Sequence, residues 1–195
     1  MPFFSGERIQ ETATVAPPEA MLIEADLVRK CQEGNSFAFE EIVRLHTRRI
    51  FNFLNHMTRH RQDAEDLTQQ TFLKAYHNLR RFDTRRPLIN WLLTIARRTA
   101  LNHFRAAKHW ETLPETLSCG TASPADRADT SDETESLWAR ARRILSQREF
   151  EILWLRFGED LSTEETARVA GITKTHVKIL VFRARQHLIK GLKQP

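Results

Sequence analysis

Apolar positions recur at three- and four-residue intervals along most of the chain, the spacing that turns one face of a helix toward a core. From residue 37 to about residue 58 the repeat is carried by Phe39, Ile42, Val43, Leu45, Ile50, Phe53, Leu54 and Met57. Over residues 63–81 it is carried by Ala64, Leu67, Thr71, Ala75 and Leu79, opposite a polar side, with Asp63 as the expected N-cap. Pro87 suits a first helical turn, and from there to about residue 109 Leu88, Trp91, Leu92, Ile95 and Ala96 point one way. A shorter helix is predicted upstream over residues 23–34, ended at Gly34, with Asn35 or Ser36 capping the next. Downstream, helices are predicted over residues 137–145, 147–157, 162–170 and 173–192. No segment alternates with a period of two and no internal repeat is present, so the predicted fold class is all-α.

Between the helical stretches, residues 110–134 hold Pro114, Gly120, Pro124 and several Ser and Thr without apolar periodicity, which predicts a flexible linker. Residues 1–22 read as a leader of the same kind, to which no role is assigned. Two small helical domains are therefore expected, over residues 23–109 and 135–195.

Composition sharpens this picture through charge. The chain of 195 residues carries a net +5 with only six glycines, and its sequence pI is about 9.6. Between Glu111 and Glu135, seven acids accompany Arg127 alone, so the linker is acidic and the two predicted domains hold the positive charge. Segregation of this kind favours an anionic partner for the folded parts. Cys31 and Cys119 form no CxxC pair or disulfide framework, which fits a reducing cytoplasm. No apolar run approaches the roughly 20 residues of a bilayer span, so neither secretion nor membrane insertion is expected.

The most specific local pattern is LSTEETARVAGITKTHVKILVFRARQHL. Ser162 and Glu165 have capping-box spacing, and Gly171 supplies the tight turn of a helix-turn-helix. On the second helix Val177, Leu180, Val181, Ala184 and Leu188 share the inward face. Lys178, Phe182, Arg183 and Arg185 are left free for phosphates or base edges. Thr173, Thr175 and His176 stand at the helix N-terminus, where free N–H groups also favour a phosphate. A second basic set comprises Arg80, Arg81, Arg85, Arg86, Arg97, Arg98, Asn102, His103, Arg105 and Lys108, interleaved with Phe82, Trp91 and Phe104. Cations beside aromatics suit unpaired DNA, whose phosphates need charge and whose unstacked bases need a flat partner.

Taken together, DAEDLTQQTFLKAYHNLRRF, INWLLTIARRTALNHFR and LSQREFEILWLRFGEDLSTEETARVAGITKTHVKILVFRARQHL resemble regions 2 and 4 of extracytoplasmic-function sigma factors of the sigma-70 family. The resemblance implies a non-enzymatic factor that binds core RNA polymerase and directs promoter-specific initiation. It implies docking of Asp63, Glu65, Asp66, Gln69 and Gln70 on the clamp helices of the largest polymerase subunit, with the flap region as a further polymerase contact. It assigns minus-10 recognition and capture of melted DNA to Phe82, Arg85, Arg86, Asn90, Trp91, Arg98, Asn102 and Arg105. Minus-35 recognition falls to Thr175, His176, Lys178, Ile179, Phe182, Arg183 and Arg185. Ile179 and Leu180 stand where the family often has Ser-Arg, and Gln70 where it often has Glu. The acidic linker resembles the interdomain segment that threads toward the active-site cleft. An anti-sigma factor is a further implied partner, and the cytoplasm the implied place of action.

No P-loop, dinucleotide-binding turn, HExxH or Gly-Ser elbow is present, so no catalytic signature and no cofactor is expected. His56 and His60 share i, i+4 spacing but lack further metal ligands. The competing reading is a helix-turn-helix regulator that binds duplex operator without polymerase.

Overall fold

The computed structural model describes residues 18–111 and 132–192; residues 1–17 of the predicted leader and most of the acidic linker lie outside them, while residues 18–22 of that leader belong to the first helix. Among the described residues every regular element is helical. Four helices form the N-terminal half: α1 (Pro18–Gln32), α2 (Ser36–Thr58), α3 (Arg61–Asn78) and α4 (Leu88–Glu111), with a 3-10 turn at Leu79–Arg81 after α3. The C-terminal half holds α5 (Asp132–Ile144), α6 (Gln147–Leu153), α7 (Thr163–Ala170) and α8 (Lys174–Leu192). A π turn over Trp154–Gly158 extends α6.

The caps explain most of the boundaries. Asn35 Oδ1 accepts the Ala38 N–H at 3.3 Å and opens α2. Helix α3 begins earlier than predicted, because the His60 side chain, not Asp63, is its N-cap: His60 Nδ1 accepts the Asp63 N–H. Ser146 with Glu149, and Ser162 with Glu165, form complete capping boxes on α6 and α7. Gly171 ends α7 at φ +63°, and the Ile172 N–H reaches back to Ala167 O at 3.0 Å. This is the left-handed Schellman stop that lets α8 cross α7.

The predicted inward faces are largely buried, with Ile42, Ile50, Phe53, Leu54, Leu67, Leu88 and Leu92 at the centre of the N-terminal half. Leu45 is an exception and is exposed. The two halves, expected as two small helical domains joined by a linker, also share apolar core. Ile152, Leu155, Ala167, Val169, Ala170, Val177 and Leu180 belong to the same apolar cluster as the N-terminal core. Helix α7 packs on α4, and α6 touches α2. A smaller cluster of Ala141, Leu145, Phe150, Leu153 and Ala184 stays within the C-terminal half.

Gly171 is the backbone position that the helix-turn-helix angle depends on, and a Cβ there meets no neighbour within 4 Å. Gly171→Ala is therefore expected to cost only the left-handed backbone penalty, about 1 kcal/mol, and Gly171→Asn less. Urea denaturation of the two variants checks the order Gly, Asn, Ala; equal stability of all three would remove the requirement for this turn.

Candidate nucleic-acid interface

Helix α8 owes its exposed face to the burial of the opposite one. Val177, Leu180 and Ala184 are buried, while Thr175, His176, Lys178, Ile179, Phe182, Arg183 and Arg185 are all exposed. Lys178, Phe182 and Arg185 follow at i, i+4 and i+7, with Thr175, Ile179 and Arg183 alongside. At the N-terminus Thr173 Oγ1 accepts the His176 N–H at 3.2 Å, and Lys174 pairs with Glu164 across the turn. Of the two apolar residues standing for Ser-Arg, Leu180 is a core residue and Ile179 sits on the exposed face.

The second set divides over three surroundings. Arg98, Asn102 and Arg105 lie exposed along one stripe of α4, with Asn102 Oδ1 accepting from Arg105 at 3.3 Å. Arg85 and Arg86 project from the connector and pair with Asp83 at 2.9 and 3.7 Å. The Arg85 hydrogen bond, helped by both guanidinium charges, holds the Asp83 carboxyl below the usual carboxylate range. Phe82, expected among the base-contacting residues, is only 8% exposed and packs on Trp91 with ring centroids 4.9 Å apart. It anchors the connector to the core, and Trp91 is half-buried beside it. Side-chain placement at Lys108 lies outside the described residues.

Asn90 and Arg97 have the third surrounding. Asn90 Nδ2 donates to Glu165 Oε1 at 2.7 Å, and Arg97 Nε to Glu151 Oε1 at 2.5 Å. Arg49 of α2 donates through Nε to Glu159 Oε2 at 2.5 Å and through Nη2 to Glu159 O at 2.8 Å. Three carboxylates of the C-terminal half thus face three donors of the N-terminal half across the apolar contact. Arg97, grouped from sequence with the free cations, is buried here as an ion pair: its side chain is 13% exposed and that of Glu151 6%. Trp154 Nε1 donates to Glu159 Oε1 at 3.0 Å, so the π turn places Glu159 for Arg49.

Glu165 does two jobs. Its Oε2 accepts the Ser162 N–H at 2.9 Å while Oε1 takes Asn90. Burial alone would raise its pKa, but the Ser162 hydrogen bonds, then Asn90 and Arg168, outweigh it and hold the carboxyl below its ordinary value. A depressed folded-state pKa contributes stability above the unfolded value, and that contribution is lost as pH falls through the folded one. The seam therefore weakens in acid.

On α3 the faces separate cleanly. Asp66, Gln69 and Gln70 are exposed and form no hydrogen bond or ion pair among the described residues. Glu65 pairs with Arg61 at 2.9 Å, and Asp63 lies 3.3 Å from His60 and 3.5 Å from His103. Reading for charge alone missed Leu73, which is 60% exposed, and Tyr76 one turn on. Leu73 follows Asp66 and Gln69 at helical spacing, so the signal was an apolar residue on the polar stripe. His56 and His60 part company: His56 contacts Arg142 and lies 3.6 Å from the Trp154 ring, while His60 caps α3.

Comparison with known proteins matches Sigma-70 region 2 to residues 42–109 and Sigma-70 region 4 to residues 143–190. The chain is 31% identical to the ECF RNA polymerase sigma factor BldN of Streptomyces coelicolor, over 86% of this chain and 65% of that protein. It is 30% identical to RNA polymerase sigma factor CarQ of Myxococcus xanthus, over 83% of this chain and 92% of that one. Among solved structures, the sigma factor RpoE in complex with the anti-sigma factor NepR from Bartonella quintana aligns with a TM-score of 0.64 at 25% identity, covering 80% of this chain and 97% of that one. CnrH in complex with the cytosolic domain of CnrY shares the fold with the same TM-score at 23% identity, covering 87% and 97%.

Glu151→Ala strands Arg97 in the seam without its carboxylate. The expected cost is about 3 kcal/mol, because a buried charge loses its partner. The urea midpoint reads it; a loss below about 1 kcal/mol would mean that water already screens the pair.

Proposed function

The chain belongs to the sigma-70 family of RNA polymerase sigma factors, in the extracytoplasmic-function group, and on that premise we propose a division of labour among its exposed faces. Helix α3 docks on the polymerase clamp helices through Asp66, Gln69 and Gln70, with Leu73 as an apolar contact and Asp63 and Glu65 at the edge. The stripe Arg98, Asn102 and Arg105, with Arg85 and Arg86 of the connector, grips the minus-10 strand. Phe82 and Trp91 support that connector from beneath, and Asn90 reaches DNA only after leaving Glu165. Helix α8 enters the minus-35 major groove with Thr175, His176, Lys178, Ile179, Phe182, Arg183 and Arg185 outward, and the same half meets the flap region.

The observation that supports this reading best is the survival of separate exposed faces after folding. An unpaired acidic and amide face lies on α3, and basic faces lie on α4 and α8. An acidic face suits a basic protein groove and repels DNA, whereas the other two attract phosphate. Opened bases are captured by binding energy, with no nucleotide hydrolysis required. Ile179 replaces a polar group on the reading face, which shifts recognition there toward apolar contact such as a thymine methyl. Independent operator binding is not favoured, since both halves match sigma regions in the family's order. An anti-sigma factor, the partner in the RpoE structure, would cover the exposed Leu73 or Phe182. The cytoplasm, where polymerase and DNA meet, is the place of action; among the described residues no helix is long and apolar enough to cross a membrane.

Run-off transcription with core polymerase and a promoter library tests the reading, and duplex binding without core-dependent initiation would overturn it. Asp66→Arg is expected to weaken core association about tenfold by reversing a charge at the contact. Unchanged association in a fluorescence titration would remove α3 from the interface. Lys178→Ala with Arg183→Ala is expected to weaken promoter binding roughly tenfold or more and to flatten its salt dependence. Core association should stay intact, and equal loss of both activities would count against the assignment of α8.

A further inference from the structure

Helix α1 has no part in any of these faces, yet its last residue reaches the connector. Gln32 Nε2 donates to Leu79 O at 3.0 Å and to Phe82 O at 3.1 Å, across 47 and 50 residues of sequence. Both acceptors are carbonyl oxygens, so the amide must present its NH2 group, and both of its donors are used. Leu79 opens the 3-10 turn and Phe82 closes it. One side chain therefore ties both ends of the segment that leads from α3 into the connector.

Beyond Phe82 the connector is tied mainly to itself. Asp83 O accepts the Arg86 N–H at 3.0 Å, Asp83 Oδ1 accepts the Arg85 N–H at 3.1 Å, and the carboxylate pairs both guanidinium groups. Such a turn keeps its own shape but takes its orientation from its attachments. These are the Phe82 ring on Trp91, the start of α4, and Gln32. Glu24 and Val28 of α1 also line a shallow open pocket with Thr84, Arg86 and Pro87, so the wall facing the connector belongs to the same helix.

We propose that Gln32 is a positioning residue for strand capture: by fixing the carbonyls of Leu79 and Phe82 from α1, it sets the orientation in which Arg85 and Arg86 meet unpaired DNA. The assignment rests on the reading of the connector as the minus-10 contact. Gln32 touches no DNA itself. Its effect falls on discrimination between strands, because misaligned donors still attract phosphate while losing their register with bases.

The test uses holoenzyme assembled from the full chain and core polymerase. Single-stranded oligonucleotides with a six-base randomised window are selected on the wild type, and the affinity of the selected strand is compared with that of its scrambled counterpart. Gln32→Met keeps reach and removes both donors, and Gln32→Glu sets a carboxylate against two carbonyl oxygens. The expected result is a selected-to-scrambled ratio about tenfold lower for Met, and lower still for Glu, with core association and duplex binding by α8 unchanged. A purely structural role would lower the melting temperature and active fraction and leave the ratio alone. A Met variant whose ratio stays within about twofold of wild type overturns the assignment of Gln32 while the connector reading stands. A wild-type holoenzyme that selects no strand overturns both.

Discussion

The arrangement of this chain depends on three carboxylates between its two halves, two of them buried and Glu165 half-buried. Glu151, Glu159 and Glu165 each accept from a donor on the other half: Arg97, Arg49 and Asn90. Burying a carboxylate is costly unless a well-placed donor replaces its hydration, so these pairs do little for net stability compared with an apolar seam. What they contribute is register. The shared apolar cluster alone would tolerate sliding of α7 along α4, whereas each carboxylate, already held by a donor of its own half, completes its bonding only where the donor across the seam stands. The capping box of α7 fixes Glu165 before it meets Asn90, so local helix chemistry and the seam are set by one residue.

That dependence explains which parts of the structure could be read from sequence. Helix positions, the helix-turn-helix and the outward residues of α8 follow from short-range rules: apolar spacing, Ser-x-x-Glu caps and a glycine at positive φ. Lys178 and Arg185 are exposed because Val177 and Ala184 are not. The seam obeys no such rule. Arg49 and Arg97 are indistinguishable in sequence from surface cations, and their partners lie 110 and 54 residues away. The burial of Phe82 was hidden for the same reason, since an aromatic among arginines reads as a stacking surface until Trp91 is seen beneath it. His60 displaced Asp63 as a cap because α3 already starts at Arg61, which leaves His60 extended at the N-cap position with its Nδ1 accepting the Asp63 N–H.

Exposed and buried charges also divide the electrostatics of the molecule. The cations of α8 and of the outer α4 stripe face water, so their pull on DNA weakens with salt over a Debye length of about 8 Å at physiological ionic strength. Arg97 is screened far less and is neutralised by Glu151 at contact distance. A net charge of +5 therefore misstates what DNA meets. One face of α4 is strongly positive, and the adjoining face, though it carries Arg97 and Asn90, is covered by carboxylates.

If α4 contacts a single strand as proposed, its two faces are consequently unequal ligands for it. Arg98, Asn102 and Arg105 accept phosphate with no rearrangement of the protein. Asn90 offers its amide to a base only if Glu165 gives it up, and Arg97 is already paired with Glu151 of α6, which Arg148 also holds. A strand that follows the exposed stripe inward thus runs from free donors to donors already taken unless α6 and α7 move away. Engagement of the outer stripe and separation of the halves would then be coupled through one helix, with the depth of DNA entry along α4 limited by whatever holds the C-terminal half against it. If polymerase takes up α3 and the C-terminal half at separate places, as proposed, it supplies that separation without touching α4 at all.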